Sequence, residues 1–170
     1  MNAFISSAYD TNGRTEYLRE MMKHIEVHSY GKLFRNAPQP KGAWREFKLE
    51  TMARYKFSIA FENASETDYV TEKFYDPLIE GSVPVYLGAP NIEEFAPGEK
   101  CFIDVSGFDG PEALSRFLMD LSRDEAHYSE YFEWKKKPFL RSFEELLQAA
   151  HEPMLVRLCR KVGDTLKTRA

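Results

Sequence analysis

Residues 56–61 read Lys-Phe-Ser-Ile-Ala-Phe, a short run that is almost continuously apolar. Such a run predicts a strand that is covered on both faces, as in a parallel sheet. Residues 83–87 read Val-Pro-Val-Tyr-Leu and predict a second buried strand, in which Pro84 is tolerable because it lies near the strand's start. Between the two runs, residues 72–80 carry apolar side chains at helical spacing, and Gly81 favours the end of a helix there.

The same alternation continues on both sides of this unit. Patterns of helical, extended and loop type follow one another: a helix at 14–25, an extended run at 26–30, a loop at 31–42, a helix at 43–54, a strand at 101–105 and a helix at 114–121. Strands that alternate with helices predict a parallel sheet with helices on both faces. We therefore predict an α/β, Rossmann-like domain at 1–150 and a helical tail at 151–170. Right-handed crossovers bring the carboxyl ends of such strands to one rim, where ligands bind.

The composition excludes several classes of protein. The chain has 170 residues, of which 43% are hydrophobic and 14% aromatic, and this predicts one domain with a real core. A net charge of −4 argues against a nucleic-acid partner, because no positive field would attract a phosphate backbone. No apolar run of about 18 residues occurs, so we predict neither a membrane segment nor a signal peptide. Cys101 and Cys159 indicate neither a metal site nor a disulfide framework, and Cys101 is predicted to be buried.

Polar side chains follow the first buried strand at the predicted rim. Glu62 and Asn63 come directly after it, and they either cap the loop through an Asx-type turn or hydrogen-bond a polar ligand. Thr71 fits the N-cap of the next helix, and Glu72 suits its first turn. Lys73 is disfavoured there unless an anion lies above the helix terminus. Lys73 therefore indicates either a phosphate site or a solvated surface lysine.

Tyr69 lies in the same loop, where it either contacts a ligand or packs the loop. Two common nucleotide motifs, G-x-G-x-x-G after a strand and G-x-x-x-x-G-K-[ST], are absent from the sequence. The four histidines show no metal-ligand spacing, and no Asp-x-Asp pair is present. We therefore expect no cofactor and no metal ion.

The rim residues belong to a longer pattern that resembles the α1,3-fucosyltransferase family. The pattern comprises the segments 55–63, 69–73, 81–85, 88–90 and 91–97. It is similar above all to the plant and protist enzymes that modify the core of N-glycans, and it covers residues 3–150. The resemblance implies that the chain is the carboxyl-terminal, nucleotide-binding half of a two-domain GT-B fold, with GDP-fucose as its donor substrate.

The resemblance also implies roles for individual residues. Glu72 would hold the ribose hydroxyls and Lys73 the diphosphate. Arg14 falls where the family places a phosphate-binding arginine, and a guanidinium can bind two oxygens at once. We therefore expect the donor to contact a set of seven residues, namely Arg14, Arg35, Glu62, Asn63, Tyr69, Glu72 and Lys73.

The implied reaction is a metal-independent transfer of L-fucose, with inversion, to N-acetylglucosamine of a glycan or glycoprotein. The family's general base lies in an amino-terminal domain that this sequence does not contain, so the catalytic residue is left unassigned. The resemblance places such an enzyme in the Golgi lumen. Two alternatives stay open, a module that binds the nucleotide sugar without catalysis and a Rossmann-like domain kept for assembly with a partner.

Overall fold

The computed structural model describes residues 1–38, 43–151 and 153–167. Residues 39–42 of the predicted loop and residues 152 and 168–170 of the predicted tail lie outside this part of the chain. The described residues form five strands: β1 (Asn2–Ala3), β2 (His28–Ser29), β3 (Phe57–Phe61), β4 (Val83–Leu87) and β5 (Ile103–Asp104). They also form seven α-helices: α1 (Arg14–Met21), α2 (Trp44–Met52), α3 (Glu72–Glu80), α4 (Gly110–Arg123), α5 (Glu125–Glu130), α6 (Arg141–His151) and α7 (Met154–Lys167).

The five strands make one parallel sheet in the order β2-β1-β3-β4-β5. The chain first passes from β1 to β2 on one side, and then returns to place β3 on the other side of β1. The strand order therefore reverses between β1 and β3. This reversal is a topological switch point, the place where open α/β sheets leave a crevice at the carboxyl ends of their strands.

Alternate residues of β3 point to opposite faces of the sheet, and each face has its own core. Ile59 belongs to the cluster that contains Leu18 of α1 and Leu118 of α4. Its neighbour Ala60 belongs to the cluster that contains Phe74 of α3. Helices therefore cover both faces, which confirms the predicted α/β, Rossmann-like fold class.

The helix α3 has the predicted bounds because both of its ends are specified locally. The Thr71 hydroxyl accepts a hydrogen bond from the amide of Lys73, as expected of an N-cap. Gly81 ends the helix with a φ of 82°, a left-handed conformation that glycine adopts without steric cost.

Two strands are shorter than predicted. The extended run at 26–30 contributes only His28–Ser29 to the sheet, and the run at 101–105 contributes only Ile103–Asp104. In the second case the reason is local, because the Asp104 side chain accepts a hydrogen bond from the amide of Ser106 at 2.8 Å. This contact begins a short 3₁₀ turn at Val105–Gly107, which stops the strand.

Pro84 lies in a strand that has neighbours on both sides. It pairs with Ser58 of β3, whereas the pairing of β4 with β5 begins only at Val85. The proline therefore precedes the part of β4 that is flanked by two strands, as its place near the start of the run predicted.

Cys101 is buried, as predicted, and burial raises the pKa of its thiol to about 12. Cys159 of α7 is exposed, and both cysteines are free thiols. Among the helices of the described residues, none combines the length and apolar character needed to cross a membrane.

Candidate functional site

The loops that follow β1 and β3 meet at the switch point. The amide of Thr11 donates to the Asn63 carbonyl at 2.9 Å. The Asn12 side-chain amide donates to the Glu62 carbonyl at 3.1 Å and to the Ser65 hydroxyl at 3.2 Å. These bonds hold the two loops together at the rim where the polar residues were predicted to gather.

Arg14 is the first residue of α1, and its guanidinium lies between these loops. Its Nη1 donates to the Phe61 carbonyl at 3.0 Å and to Asn63 Oδ1 at 2.7 Å, and its Nη2 donates to the Ser7 carbonyl at 2.9 Å. The residue is only 1% exposed, and its Nε finds no acceptor among the described residues. Burial lowers the pKa of the guanidinium below its ordinary value. In this structure Arg14 of α1 joins the loop after β1 to the end of β3, and its contact with a phosphate stays a prediction.

The Glu62 side chain points into the protein, although a residue that directly follows a strand can also face solvent. Its side chain is 0% exposed. Oε1 accepts from the Thr71 amide and from the Thr71 hydroxyl, both at 2.8 Å, and Oε2 accepts from Lys73 Nζ at 3.1 Å. The carboxylate therefore has partners on both oxygens, and its direct contact with a ligand stays a prediction.

Lys73 lies in the first turn of α3, where its own amide donates to the Thr71 hydroxyl and the Phe74 amide donates to the Thr71 carbonyl. Its Nζ is 2.9 Å from the Thr71 hydroxyl and 3.6 Å from Glu72 Oε1, in addition to its bond with Glu62. The side chain is 21% exposed, so the ammonium has access to solvent. A cation at the positive end of a helix dipole favours an anion such as a phosphate.

Glu72 is exposed at the same helix end. Partial burial opposes ionisation of its carboxyl, but Lys73, Lys48, the backbone and Thr71 together outweigh burial and lower its pKa. The group is therefore an anionic acceptor at neutral pH. That chemistry suits the predicted role of binding sugar hydroxyls, since a carboxylate only accepts hydrogen bonds.

Two further predicted residues, Tyr69 and Arg35, are both exposed. Tyr69 follows Asp68, whose φ of 65° and paired hydrogen bonds with Asn91 set the course of the loop. Arg35 follows β2, and its Nε donates to the Gly31 carbonyl at 3.1 Å. Within the described residues, no hydrogen bond or ion pair joins Arg35 to the group around Lys73, which comprises Glu62, Thr71, Glu72 and Lys73 itself. The predicted contact of Arg35 with the donor stays a prediction.

The place of Asp10 and Asn12 at this rim was not predicted from the sequence. Asp10 accepts from the Gly13 amide at 2.8 Å and from Thr15 at the start of α1, and Asn12 joins the two loops through its bonds to Glu62 and Ser65. Gly13 has a φ of 75°. The signal was available, because Asp-Thr-Asn-Gly at 10–13 has the composition of a turn that leads into a helix.

A cavity of about 310 Å³ extends the rim toward β4 and β5. Ser65 lines it from the β3–α3 loop, and Tyr86 and Asp104 line it from the two strands. The Tyr86 hydroxyl accepts a hydrogen bond from the Ala89 amide at 2.9 Å. Open space therefore lies at the carboxyl ends of β4 and β5.

No cluster of three or more metal-ligating side chains occurs in residues 1–38, 43–151 and 153–167. The polar chemistry of the rim instead comes from helix amides, one ammonium and several carboxylates and carbonyls. The fold and the rim together define a Rossmann-like domain whose site suits the phosphates of a nucleotide.

The chain belongs to the glycosyltransferase family 10 fucosyltransferases, since the model of that family's carboxyl-terminal domain matches residues 1–170. The resemblance seen in the sequence is thereby confirmed, and so is the assignment to a family of glycosyltransferase enzymes. Among related proteins, a putative fucosyltransferase-like protein of Arabidopsis thaliana is 40% identical over 158 residues, which are 92% of this chain and 30% of that protein. GDP-fucose protein O-fucosyltransferase 3 of Homo sapiens is 41% identical over 145 residues, which are 82% of this chain and 30% of that protein.

An alpha-(1,3)-fucosyltransferase B of Drosophila melanogaster is 38% identical over 78% of this chain and 32% of its own length. The chain thus spans about a third of the length of these curated relatives. Among solved structures, an alpha1,3-fucosyltransferase with GDP-fucose superposes with a TM-score of 0.68 at 21% identity, over 87% of this chain and 45% of that one. The same enzyme class with GDP gives a TM-score of 0.65. These likenesses show the fold.

Proposed function

We propose that this chain is the donor-binding half of a fucosyltransferase that takes L-fucose from GDP-fucose. The observation that carries the proposal is the position of Lys73, whose ammonium is held at the N-terminus of α3 beside the switch point of the sheet. A diphosphate there would receive a hydrogen bond from the ammonium and would be stabilised by the positive end of the α3 dipole. Glu72 lies on the same turn and is proposed to accept hydrogen bonds from the ribose hydroxyls, and Tyr69 of the preceding loop is proposed to contact the donor.

The proposed reaction is a transfer with inversion and without a metal ion. An acceptor hydroxyl attacks the anomeric carbon of fucose, the bond from that carbon to the diphosphate breaks, and GDP leaves with the bonding electrons. Negative charge grows on the departing diphosphate, and Lys73 with the α3 amides would stabilise it. The base that takes the acceptor's proton is proposed to lie outside these 170 residues, as the family resemblance implies.

The proposed acceptor is N-acetylglucosamine of a glycan, on the resemblance to the N-glycan core enzymes. A second candidate is a protein hydroxyl, which is favoured by the 41% identity with proteins named GDP-fucose protein O-fucosyltransferase 3. In either case we infer from the family a location in the Golgi lumen.

A different candidate is a module that binds GDP-fucose without transferring it. The observation that favours this candidate is the state of Glu62, the carboxylate nearest to Lys73. It is fully buried and fully hydrogen-bonded, so it is poorly placed to accept a proton from an acceptor.

A transfer assay separates these candidates. The chain is incubated with GDP-[¹⁴C]fucose and a chelator, with either an N-acetylglucosamine-terminated glycan or an unglycosylated protein domain as acceptor. Label on the glycan, insensitive to the chelator, is the expected result when the amino-terminal domain of a family member is supplied. Label on the protein alone would favour the second acceptor. GDP-fucose binding without label on either acceptor would favour the non-catalytic module.

A further inference from the structure

The ammonium of Lys73 has three N–H donors, and the protein holds two of them. One is directed to Glu62 Oε2 at 3.1 Å and the other to the Thr71 hydroxyl at 2.9 Å. The nearest further acceptor, Glu72 Oε1, is 3.6 Å away, which is beyond a good hydrogen bond. With the side chain 21% exposed, the ammonium has access to solvent for its third donor.

We propose that Glu62 is a positioning residue, whose buried carboxylate directs the third donor of Lys73 toward the diphosphate of a nucleotide sugar. This inference rests on the proposed function and deepens it, because Glu62 was expected to touch the donor itself. In the structure the Glu62 carboxylate contacts Lys73 Nζ at 3.1 Å. Without it, the flexible lysine side chain would occupy many rotamers, and binding would carry the entropic cost of ordering it.

The contacts around Glu62 favour one orientation of its carboxylate. Both donors of Thr71, its amide and its hydroxyl, bind Oε1 at 2.8 Å. The hydroxyl also lies 2.9 Å from Oε2, so it can hold either oxygen while it accepts from Lys73. A Cβ on Gly88 would lie 2.4 Å from the Tyr86 hydroxyl oxygen and 2.8 Å from Glu62 Cγ. The glycine therefore leaves space for both the Tyr86 ring and the Glu62 side chain.

Positioning and simple electrostatics predict opposite results when the charge of Glu62 is removed. A carboxylate beside a phosphate site repels the phosphate, so its neutralisation alone would strengthen binding of GDP. If Glu62 instead holds Lys73 in place, the same change releases the ammonium and weakens binding. The sign of the change in Kd therefore distinguishes the two roles.

The test is calorimetric titration of GDP into the full chain and into Glu62→Gln, with thermal unfolding of each ligand-free protein as a check on folding. Glutamine keeps the shape and the acceptor for Thr71, but it places no negative charge beside Lys73. We expect the Kd for GDP to rise about tenfold, the scale of one hydrogen bond to a charged group. The matched control is Glu66→Gln, which removes the same charge from an exposed position in the same loop. It should leave the Kd unchanged or slightly lower.

A double-mutant cycle asks whether the effect passes through Lys73. In a Lys73→Ala background, Glu62→Gln should cause no further loss of GDP affinity. A purely structural role for Glu62 would weaken binding in both backgrounds. Thr71→Val, which removes the hydroxyl that joins Glu62 to Lys73, provides an independent variant and should also weaken binding.

The outcomes separate this inference from the proposed function. The positioning role would be overturned if Glu62→Gln bound GDP as well as Glu66→Gln does. If the wild type bound GDP and Lys73→Ala did not, that result would still leave the donor site in place. A further loss from Glu62→Gln on top of Lys73→Ala would also overturn the positioning role. Wild type that fails to bind GDP would overturn the proposed function itself, and the inference with it.

Discussion

Lys73→Ala is expected to weaken GDP binding roughly 10- to 150-fold, which corresponds to a loss of about 1.5–3 kcal/mol for a hydrogen bond to a charged group. The ammonium lies at the N-terminus of α3, where it adds a full charge to the partial positive charge of the helix amides. If transfer is assayed, a further loss is expected in kcat, because charge on the leaving diphosphate is greater in the transition state than in the ground state.

The matched control is Lys136→Ala, which removes the same charge from an exposed lysine paired with Glu133. Its GDP affinity should equal that of the wild type at physiological ionic strength, since screening limits distant surface charges. Lys73→Ala also leaves Glu62 buried with only the donors of Thr71, so the thermal unfolding of both variants must be recorded. Equal GDP affinity of folded Lys73→Ala and Lys136→Ala would contradict the diphosphate site.

Gly31→Ala is expected to lower the free energy of unfolding by at least about 3 kcal/mol. A Cβ at this position would lie 2.0 Å from the Ile5 carbonyl oxygen and 2.4 Å from its carbonyl carbon. Both atoms belong to the backbone, so no side-chain rotation relieves the overlap. The loop after β2 would have to move away from the loop after β1, which also breaks the hydrogen bond from the Leu33 amide to the Ile5 carbonyl.

Gly107→Ala is the matched control for this change. A Cβ there would meet no atom within 4 Å, and the residue is not in the left-handed region. Its free energy of unfolding, measured by urea denaturation, should stay within about 0.5 kcal/mol of the wild type. A Gly31→Ala variant that unfolds at the wild-type urea concentration would contradict the close packing of Gly31 against the Ile5 backbone.

The parts of the fold that the sequence predicted best are those with local signals. The helix α3 has the predicted bounds because Thr71 and Gly81 specify its two ends within one turn each. The strands β3 and β4 were found because both are covered by helices and are therefore almost wholly apolar. β2 and β5 were predicted too long, since extended runs outside the sheet look the same in sequence as paired strands.

The location of the site was predictable for the same reason, but the directions of two side chains were not. Polar residues after a buried strand indicate the rim, and the order of strands then brings β1 and β3 together there. Whether a charged group turns inward depends on partners that are distant in sequence. The acceptors that bury Arg14 lie up to 49 residues away, and Glu62 is buried by a lysine and a threonine on the next helix.

The central claim is that this chain holds a nucleotide sugar at the rim between β1 and β3 without a metal ion. Calorimetric titration of the purified chain with GDP-fucose, in the presence of a chelator, tests it most directly. We predict saturable binding at one site, unchanged by the chelator and competed by GDP. Absence of binding heat, together with no shift in thermal unfolding by GDP-fucose in a chain shown to be folded, would contradict the claim.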